Sequence, residues 1–311
     1  MCAKKRRKHS PAVILIVMIL VVLAGLLEFM GVVDIPYLNF SGETEIEQNQ
    51  ISDPVPTPSD GEVLFHFIDV GQGDAILITT PDGNMLVDTS VKSARDELTA
   101  YLAAAGVTEL EYLVLTHPDA DHIGNAAYVI ENYAIKNILL PDRVSATDTY
   151  EAMLLAMENS QANVIVPEPG YVFSLGALQN TVIAPNEDYD DNNESSIVFK
   201  AVYGETSVMM TGDAEHKSEA DILANWRKED LKSDILKVGH HGAETSTTKD
   251  FLDAVDPDIA VISCGEGNKY GHPRPDTLEK LEALGVRVYR TDLDGNIVFK
   301  TDGVSFVLVE E

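Results

Sequence analysis

The chain has 311 residues, 45% of them hydrophobic and 23% charged, enough for one large core or two modest ones in an ordinary globular protein. With 51 acidic against 22 basic residues the formal net charge is −29. That charge repels polyanions at long range and argues against a broad nonspecific duplex-binding surface, although a metal ion reverses the potential where a phosphate docks. The only thiols are Cys2 and Cys264, which excludes a disulfide framework and a thiolate-rich zinc site and leaves any metal to His and carboxylate ligands.

The first residues read as targeting. MCAKKRRKHS carries a basic run at residues 4–8, and PAVILIVMILVVLAGLL, 17 residues without a charge, follows before Glu28. That is the short end for a membrane span, which takes about 17–25 residues. The flanking cations predict a cytoplasmic N-terminus and one outward pass. No small-x-small cleavage site follows, which favours an uncleaved anchor in the cell membrane over a secreted, signal-cleaved product. Four segments result: a basic cytoplasmic flank at 1–10, a membrane anchor at 11–33, an acidic Pro-containing linker at 34–61 and an extracellular body at 62–311. The linker's GETEIEQNQISDPVPTPSDG has three prolines and no apolar periodicity, the composition of an extended tether.

From Glu62 strand and helix signals alternate. VLFHFIDV, AILITT and NMLVDT read as strands, the last two joined as a hairpin at PDGN (81–84). SARDELTAYLAAAG reads as a helix capped by Gly106, EYLVLTH as a strand, HIGNAAYVIENY as a helix, KNILLP as a strand and TYEAMLLAMENSQA as a helix. NVIVP, YVFSL and QNTVIAP follow as short strands, then a hairpin of SSIVFKAVYG and TSVMMTGD turning at Gly204 and Glu205. SEADILANWR (helix), DILKVGHH (strand), TKDFLDAV (helix), DIAVISCG (strand) and PDTLEKLEALG (helix) lead to VRVYRT and GNIVFKTDGVSFVLVE. DLDGN (292–296) superficially resembles a calcium loop, but its twelfth position is Gly303 rather than Glu, so a hairpin turn is expected. The order suits an α/β fold of two sheets with helices on their outer faces, a four-layer αββα sandwich. A single mixed sheet flanked by helices satisfies it as well.

Polar residues gather at the strand ends. DVGQGD (69–74) separates the first two strands, Asp88 ends the third, and HPDADH (117–122) ends the next. Asn193 and Ser196 precede another, Thr211-Gly212-Asp213 ends its partner, His240-His241 ends a later strand, and His272 follows the last one in an αβ unit. Such loops are where α/β scaffolds build sites. Taken singly, each has a plainer explanation: Asp88 as a helix N-cap, His272 as a loop residue, His216 as an exposed helix start, His66 as a strand residue. HPDADH is different. His117 and Asp119 can face one side of a loop while Asp121 and His122 serve a second position. Imidazole and carboxylate together suit zinc, manganese or iron, two of which about 3.5–4 Å apart clamp a bridging hydroxide. Asp213 has the character of a bridging carboxylate.

His117-x-Asp119-x-Asp121-His122, Thr211-Gly212-Asp213 and a late histidine resemble the metallo-β-lactamase superfamily of binuclear hydrolases. Its pattern is H-x-H-x-D-H, and here Asp119 stands at the second histidine. With DVGQGDA (69–75), NESSIV (193–198), TGDAE (211–215), VGHHGAETS (238–246) and NKYGHP (268–273), residues 62–310 are similar to the C-terminal hydrolase domain of the ComEC family of competence proteins. In that family the domain is attached to a DNA channel with many membrane spans. The resemblance therefore implies a hydrolase facing outward on one anchor, with single-stranded DNA as substrate and DNA-uptake proteins as partners.

Carried onto this sequence, the resemblance implies that His117 and Asp119 bind a first metal, that Asp121 and His122 bind a second, and that Asp213 bridges them. The late ligand is His240 or His241, the former preferred because it sits nearer the strand end. Asp121 doubles as general base; His272 or the unliganded member of the pair, His241, is the acid at the leaving group. Asp74, Asp88, Asn193 and Ser196 support the ligands. No histidine occurs between His122 and Asp213, which leaves the first position short of a ligand and sets manganese beside zinc, one or two ions per chain. The expected reaction is phosphodiester hydrolysis by a water made acidic at the ions. Its rivals are hydrolysis of a small phosphoester, thioester or β-lactam, and a surface binding module without turnover.

Overall fold

β1 (Val63–Phe67), β2 (Ile76–Thr80) and β3 (Gly83–Val87) form an antiparallel meander, with Pro81 and Asp82 in the expected tight turn. β4 (Glu109–Val114), β5 (Ala134–Leu139) and β6 (Asn163–Ile165) continue that sheet in parallel from β3. A second sheet holds the antiparallel β7 (Val172–Leu175), β8 (Leu178–Ala184), β9 (Val198–Tyr203) and β10 (Thr206–Met210). β11 (Ile235–Lys237), β12 (Ile259–Ile262) and β13 (Arg287–Arg290) extend it in parallel from β10. β14 (Ile297–Thr301) and β15 (Phe306–Leu308) then return to the first sheet, where β14 pairs with β1. The computed structural model describes residues 55–309. The expected flank (1–10), the anchor (11–33) and most of the linker lie outside them. Among the described residues no helix is long and apolar enough to cross a membrane.

Alternation along the strands separates three apolar layers, because successive side chains leave opposite faces. Phe65, Phe67, Ile76, Ile78, Met85 and Val87 point inward and meet Phe199, Ala201, Val208, Met210, Ile235 and Val261 of the second sheet. Their neighbours Leu77, Leu86 and Leu113 face outward under helices, as do Val198, Met209, Leu236 and Ile262 on the other side. Two sheets back to back with helices outside are therefore present, and the single mixed sheet is not. Each buried Phe or Leu contributes about 1.5–3 kcal/mol, so these layers, more than any loop, hold the strand ends in place.

Helices α1 (Arg95–Ala104), α2 (Ala120–Ile123), α3 (Ala126–Asn132) and α4 (Asp148–Asn159) follow first-sheet strands, and Gly106, at φ 71°, closes α1 as expected. α5 (His216–Asn225), α6 (Lys228–Leu231), α7 (Lys249–Val255), α8 (Pro275–Ala283) and α9 (Thr291–Asp294) belong to the second half.

Three expectations need correction. The helix read over HIGNAAYVIENY starts earlier, at Ala120, and breaks at Gly124 and Asn125, whose amide instead donates to the carbonyls of Thr89 (2.9 Å) and Val91 (2.7 Å). That exchange places Asp121 and His122 on a helical turn tied to the loop after β3. DLDGN is no hairpin turn. It forms α9, a crossover from the edge of the second sheet to β14, next to the edge of the first, pinned where Thr291 Oγ1 donates to Cys264 O (3.0 Å). Finally, Val55, expected in the tether, is buried among the first sheet's outer core.

Candidate metal centre

The C-terminal ends of β3, β4, β10, β11 and β12 open on one edge of the sandwich. Asp88 follows β3 and sits at φ 59°, a left-handed conformation costly for a residue with a Cβ. Its buried carboxylate there accepts from Thr116 N (2.8 Å), Thr116 Oγ1 (2.7 Å) and His122 Nδ1 (2.7 Å). Because the Thr116 hydroxyl donates to Asp88, its oxygen is left to accept from His117 Nδ1, 3.1 Å away. His241 Nδ1 donates to Ser263 O at 2.9 Å. All three imidazoles thus have the proton of Nδ1 fixed by an acceptor, which sets the tautomer and leaves the Nε2 lone pair free.

Those three Nε2 atoms, with Asp213 Oδ1, are buried and have no hydrogen-bond partner. They converge on Asp213, whose Oδ2 lies 3.9 Å from His117 Nε2, 3.3 Å from His122 Nε2 and 3.4 Å from His241 Nε2. Burying unpartnered acceptors costs about 1–3 kcal/mol each, a cost that a cation removes. Among the donor groups that can take one are His117, His122 and Asp213, and Asp121, His122 and His241. The electrostatics agree. Burial opposes charge at both His122 and Asp213, but Asp213 and Asp88 raise His122 well above its ordinary value, and His122 with His241 hold Asp213 well below its own. Without an ion, the proton that Asp213 favours on His122 Nε2 stands where a cation would, while burial and His122 keep His117 well below its ordinary value and neutral; the imidazole and carboxylate donors fit divalent ions.

The adjacent residues His240 and His241 both have positive φ (47° and 53°), a double left-handed turn that splays their side chains apart. His241 goes into the cage. His240 is partly exposed; its Nδ1 donates to Glu215 (2.7 Å), and its Nε2 stays 3.9 Å from Asp213. Burial disfavours its charge, but Glu215 raises its pKa. The preference for His240 as late ligand is therefore reversed by the geometry, since nearness to the strand end does not set side-chain direction. Asp119 stands at the rim, its side chain 40% exposed, with Oδ2 3.9 Å from His117 Nε2. Its other oxygen accepts from Asn192 Nδ2 (2.6 Å), and Asn192 is held by Arg143 (2.8 Å). Neither Asp119 nor His240 belongs to a described donor group that could hold an ion.

The other expected residues collect around this cage. Ser196 Oγ accepts from Asp213 N (3.1 Å), and Asn193 Nδ2 lies 3.4 Å from both Glu215 and His240. His272 stands edge-on to His240, with ring centroids 5.4 Å apart; burial and the neighbouring imidazoles lower its pKa to about 4. A cavity of about 140 Å³ lined by Asp119, Asp121, Asp213, His240, His241 and His272 opens above the cage. Gln72, Asp121 and Tyr270 join it to a wider bowl of about 710 Å³ rimmed by Asp69, Glu97, Glu266 and Asp292. Gly73 admits the close approach of this loop: a Cβ there would collide with the carbonyl of Asp121. His216 is exposed and His66 is a buried β1 residue, as expected.

Sequence reasoning missed Lys237, Glu215, Asn192 and Thr116. Lys237 had a signal: a lysine inside the apolar strand DILKV. It is 1% exposed and pairs with Asp74 at 2.7 Å. The other three are ordinary loop polars, legible only once the chain is folded.

Residues 68–266 match the family model described as Metallo-beta-lactamase superfamily. The chain belongs to that superfamily. The ComEC resemblance is borne out too: the chain is 33% identical over 261 residues to "ComE operon protein 3" of Bacillus subtilis, covering 78% of this chain and 33% of that protein. "Competence protein ComA" of Neisseria gonorrhoeae is 32% identical over 235 residues, 74% of this chain and 31% of that one. The chain thus spans about a third of these relatives' length. Among solved structures of the superfamily fold, YhfI from Bacillus subtilis superposes with a TM-score of 0.53 at 11% identity, over 77% of this chain and all of YhfI.

Proposed function

We propose that the chain is a metal-dependent phosphodiester hydrolase, with single-stranded DNA as the first substrate to try. The observation that carries the chemistry is the set of three buried Nε2 lone pairs aimed at Asp213. The substrate rests on the relatives, whose names are those of competence proteins. In this reading Asp121, His122 and His241 would hold one ion, and His117 and Asp213, with Asp119 at the rim, would hold another. Such ions would supply charge for the phosphoryl oxygens and make a water acidic enough to act near neutral pH. The remaining work falls to side chains. Asp121 lines the cavity beside the cage and accepts the attacking water's proton. His240, held by Glu215 through Nδ1, donates from Nε2 to the leaving oxygen. His272 walls the same cavity and orients the ester.

The acidic rim of the wider bowl favours a second reading, a small phosphoester in place of a long polyanion. The sequence's basic flank and apolar run support an outward-facing domain on a single anchor at 11–33; DNA-uptake proteins are its proposed partners, by analogy with the competence relatives. A metal-by-substrate screen on residues 55–311, comparing single-stranded DNA, bis(p-nitrophenyl) phosphate and a chromogenic β-lactam, tests the chemistry. Hydrolysis of both phosphodiesters, lost in Asp213→Ala with unchanged circular dichroism, is expected. Full activity of that variant with metal supplied sinks the proposal.

A further inference from the structure

Asp74, Asp213 and His241 form another donor group able to hold an ion, yet Asp74 is already engaged. Its Oδ2 takes the ammonium of Lys237 at 2.7 Å, and both side chains are nearly inaccessible, 2% and 1% exposed. Lys237 Nζ also donates to Val238 O at 3.0 Å. Asp74 Oδ1 is buried without a hydrogen-bond partner, 3.5 Å from His241 Nδ1. The backbone holds Asp74 where it is: its N–H donates to Asp121 O (3.2 Å), and its carbonyl accepts from Ser90 N (2.8 Å). Among the described buried polar side chains Lys237 is the only lysine, and no arginine accompanies it. A lysine is seldom buried unless paired, because its desolvation is not repaid by packing. Here the pair stands directly behind the metal cage.

We propose that Lys237 is a positioning residue that withholds Asp74 from the ions. It occupies one oxygen of a carboxylate otherwise near enough to become a further ligand, and it offsets one negative charge among Asp74, Asp88, Asp121 and Asp213. Ions held there would then depend on the histidines, Asp121 and Asp213, with no further carboxylate reaching them from behind the cage. This rests on the metal-dependent reading above, although its test reads ion binding and not turnover.

The experiment is Mn²⁺ titration of metal-stripped protein by calorimetry, checked by the paramagnetic signal of bound Mn²⁺, on the full chain in wild type, Lys237→Met and Lys237→Met/Asp74→Asn. Removing the ammonium frees Asp74 and deepens the negative potential. Lys237→Met therefore binds Mn²⁺ tighter, by about tenfold, with a changed signal from the added ligand, while the metal-free protein melts lower. In the double variant neither charge is buried alone, and affinity returns to within about threefold of wild type. A packing role would leave affinity unchanged or weaken it in Lys237→Met, and either result overturns the proposal. Should Lys237→Met fail to fold without metal, the double variant decides. Wild-type-like affinity supports withholding, and a tenfold or greater loss shows that Asp74 already reaches the ion. If wild type takes up no Mn²⁺ or Zn²⁺ at all, the metal-dependent reading itself fails.

Discussion

Asp88 lines neither the cavity above the cage nor the wider bowl, yet its loss should be felt at the cage. Asp88→Ala removes the acceptor for three donors at once, the Thr116 N–H, the Thr116 hydroxyl and the His122 Nδ1–H, in a place with no solvent to replace it. Hydrogen bonds to charged groups are worth about 1.5–3 kcal/mol each. Burial opposes the carboxylate's charge and raises its pKa, so part of that gain is already offset, and a net loss of about 2–4 kcal/mol in the metal-free protein follows. Asp88→Asn is the more telling change. Its oxygen can still accept from the Thr116 N–H, but its NH₂ faces His122 Nδ1 and drives the ring proton to Nε2, the atom needed by an ion. Loss of such an outer partner costs about 10–100-fold in metal affinity. Urea unfolding of the stripped protein gives the first quantity, and competition with a chelator of known affinity gives the second. If Asp88→Asn destabilises the fold but binds Mn²⁺ or Zn²⁺ within threefold of wild type, the tautomer argument is wrong.

The two adjacent histidines should separate by assay: His241→Ala loses ion uptake at one position, whereas His240→Ala keeps both ions and slows hydrolysis by about 10²-fold. Equal metal content in the two variants would contradict this. Asp213→Ala should abolish turnover without unfolding the sandwich, read by activity beside circular dichroism. His66 predicts a pH effect far from the cage. Burial lowers it from 6.5 to about 3, so between those values the unfolded chain binds a proton that the folded chain refuses. Its stabilisation is complete above 6.5 and declines as pH falls toward 3, by up to about 1.4 kcal/mol per pH unit. The stability advantage of wild type over His66→Gln should shrink over that range; a pH-independent difference would refute it.

Much of the fold was legible because strands announce themselves by length and turns. The choice between one sheet and two was not, because β2 reads ILITT, apolar toward both faces: Ile76 and Ile78 enter the layer between sheets, and Leu77 the layer under α1. DLDGN misled for a related reason. Asp-Gly is good turn chemistry, but whether the next strand pairs with its predecessor or crosses to another sheet depends on partners distant in sequence. At the site, residue types and strand-end placement pointed to loops that the fold brings together. Side-chain direction was hidden, since two consecutive left-handed residues at His240 and His241 exchange the roles that extended geometry suggests. Lys237 was visible in principle as a charge inside an apolar strand.

β1, the first strand of the described residues, has β14 as one of its two neighbours, so its flank is closed by residues that lie far along the chain, Val63 pairing with Thr301 and Phe67 with Ile297. Pairing across so long a separation is slow compared with local contacts. During translation the hairpins can form early, but the edge from which Asp88 and His122 face Asp213 and His241 is not assembled until both sheets are. Until the two sheets meet, the chain holds its histidines and carboxylates as scattered weak binders, and folding is what concentrates them. An ion taken up there would seal an assembled sandwich rather than nucleate it.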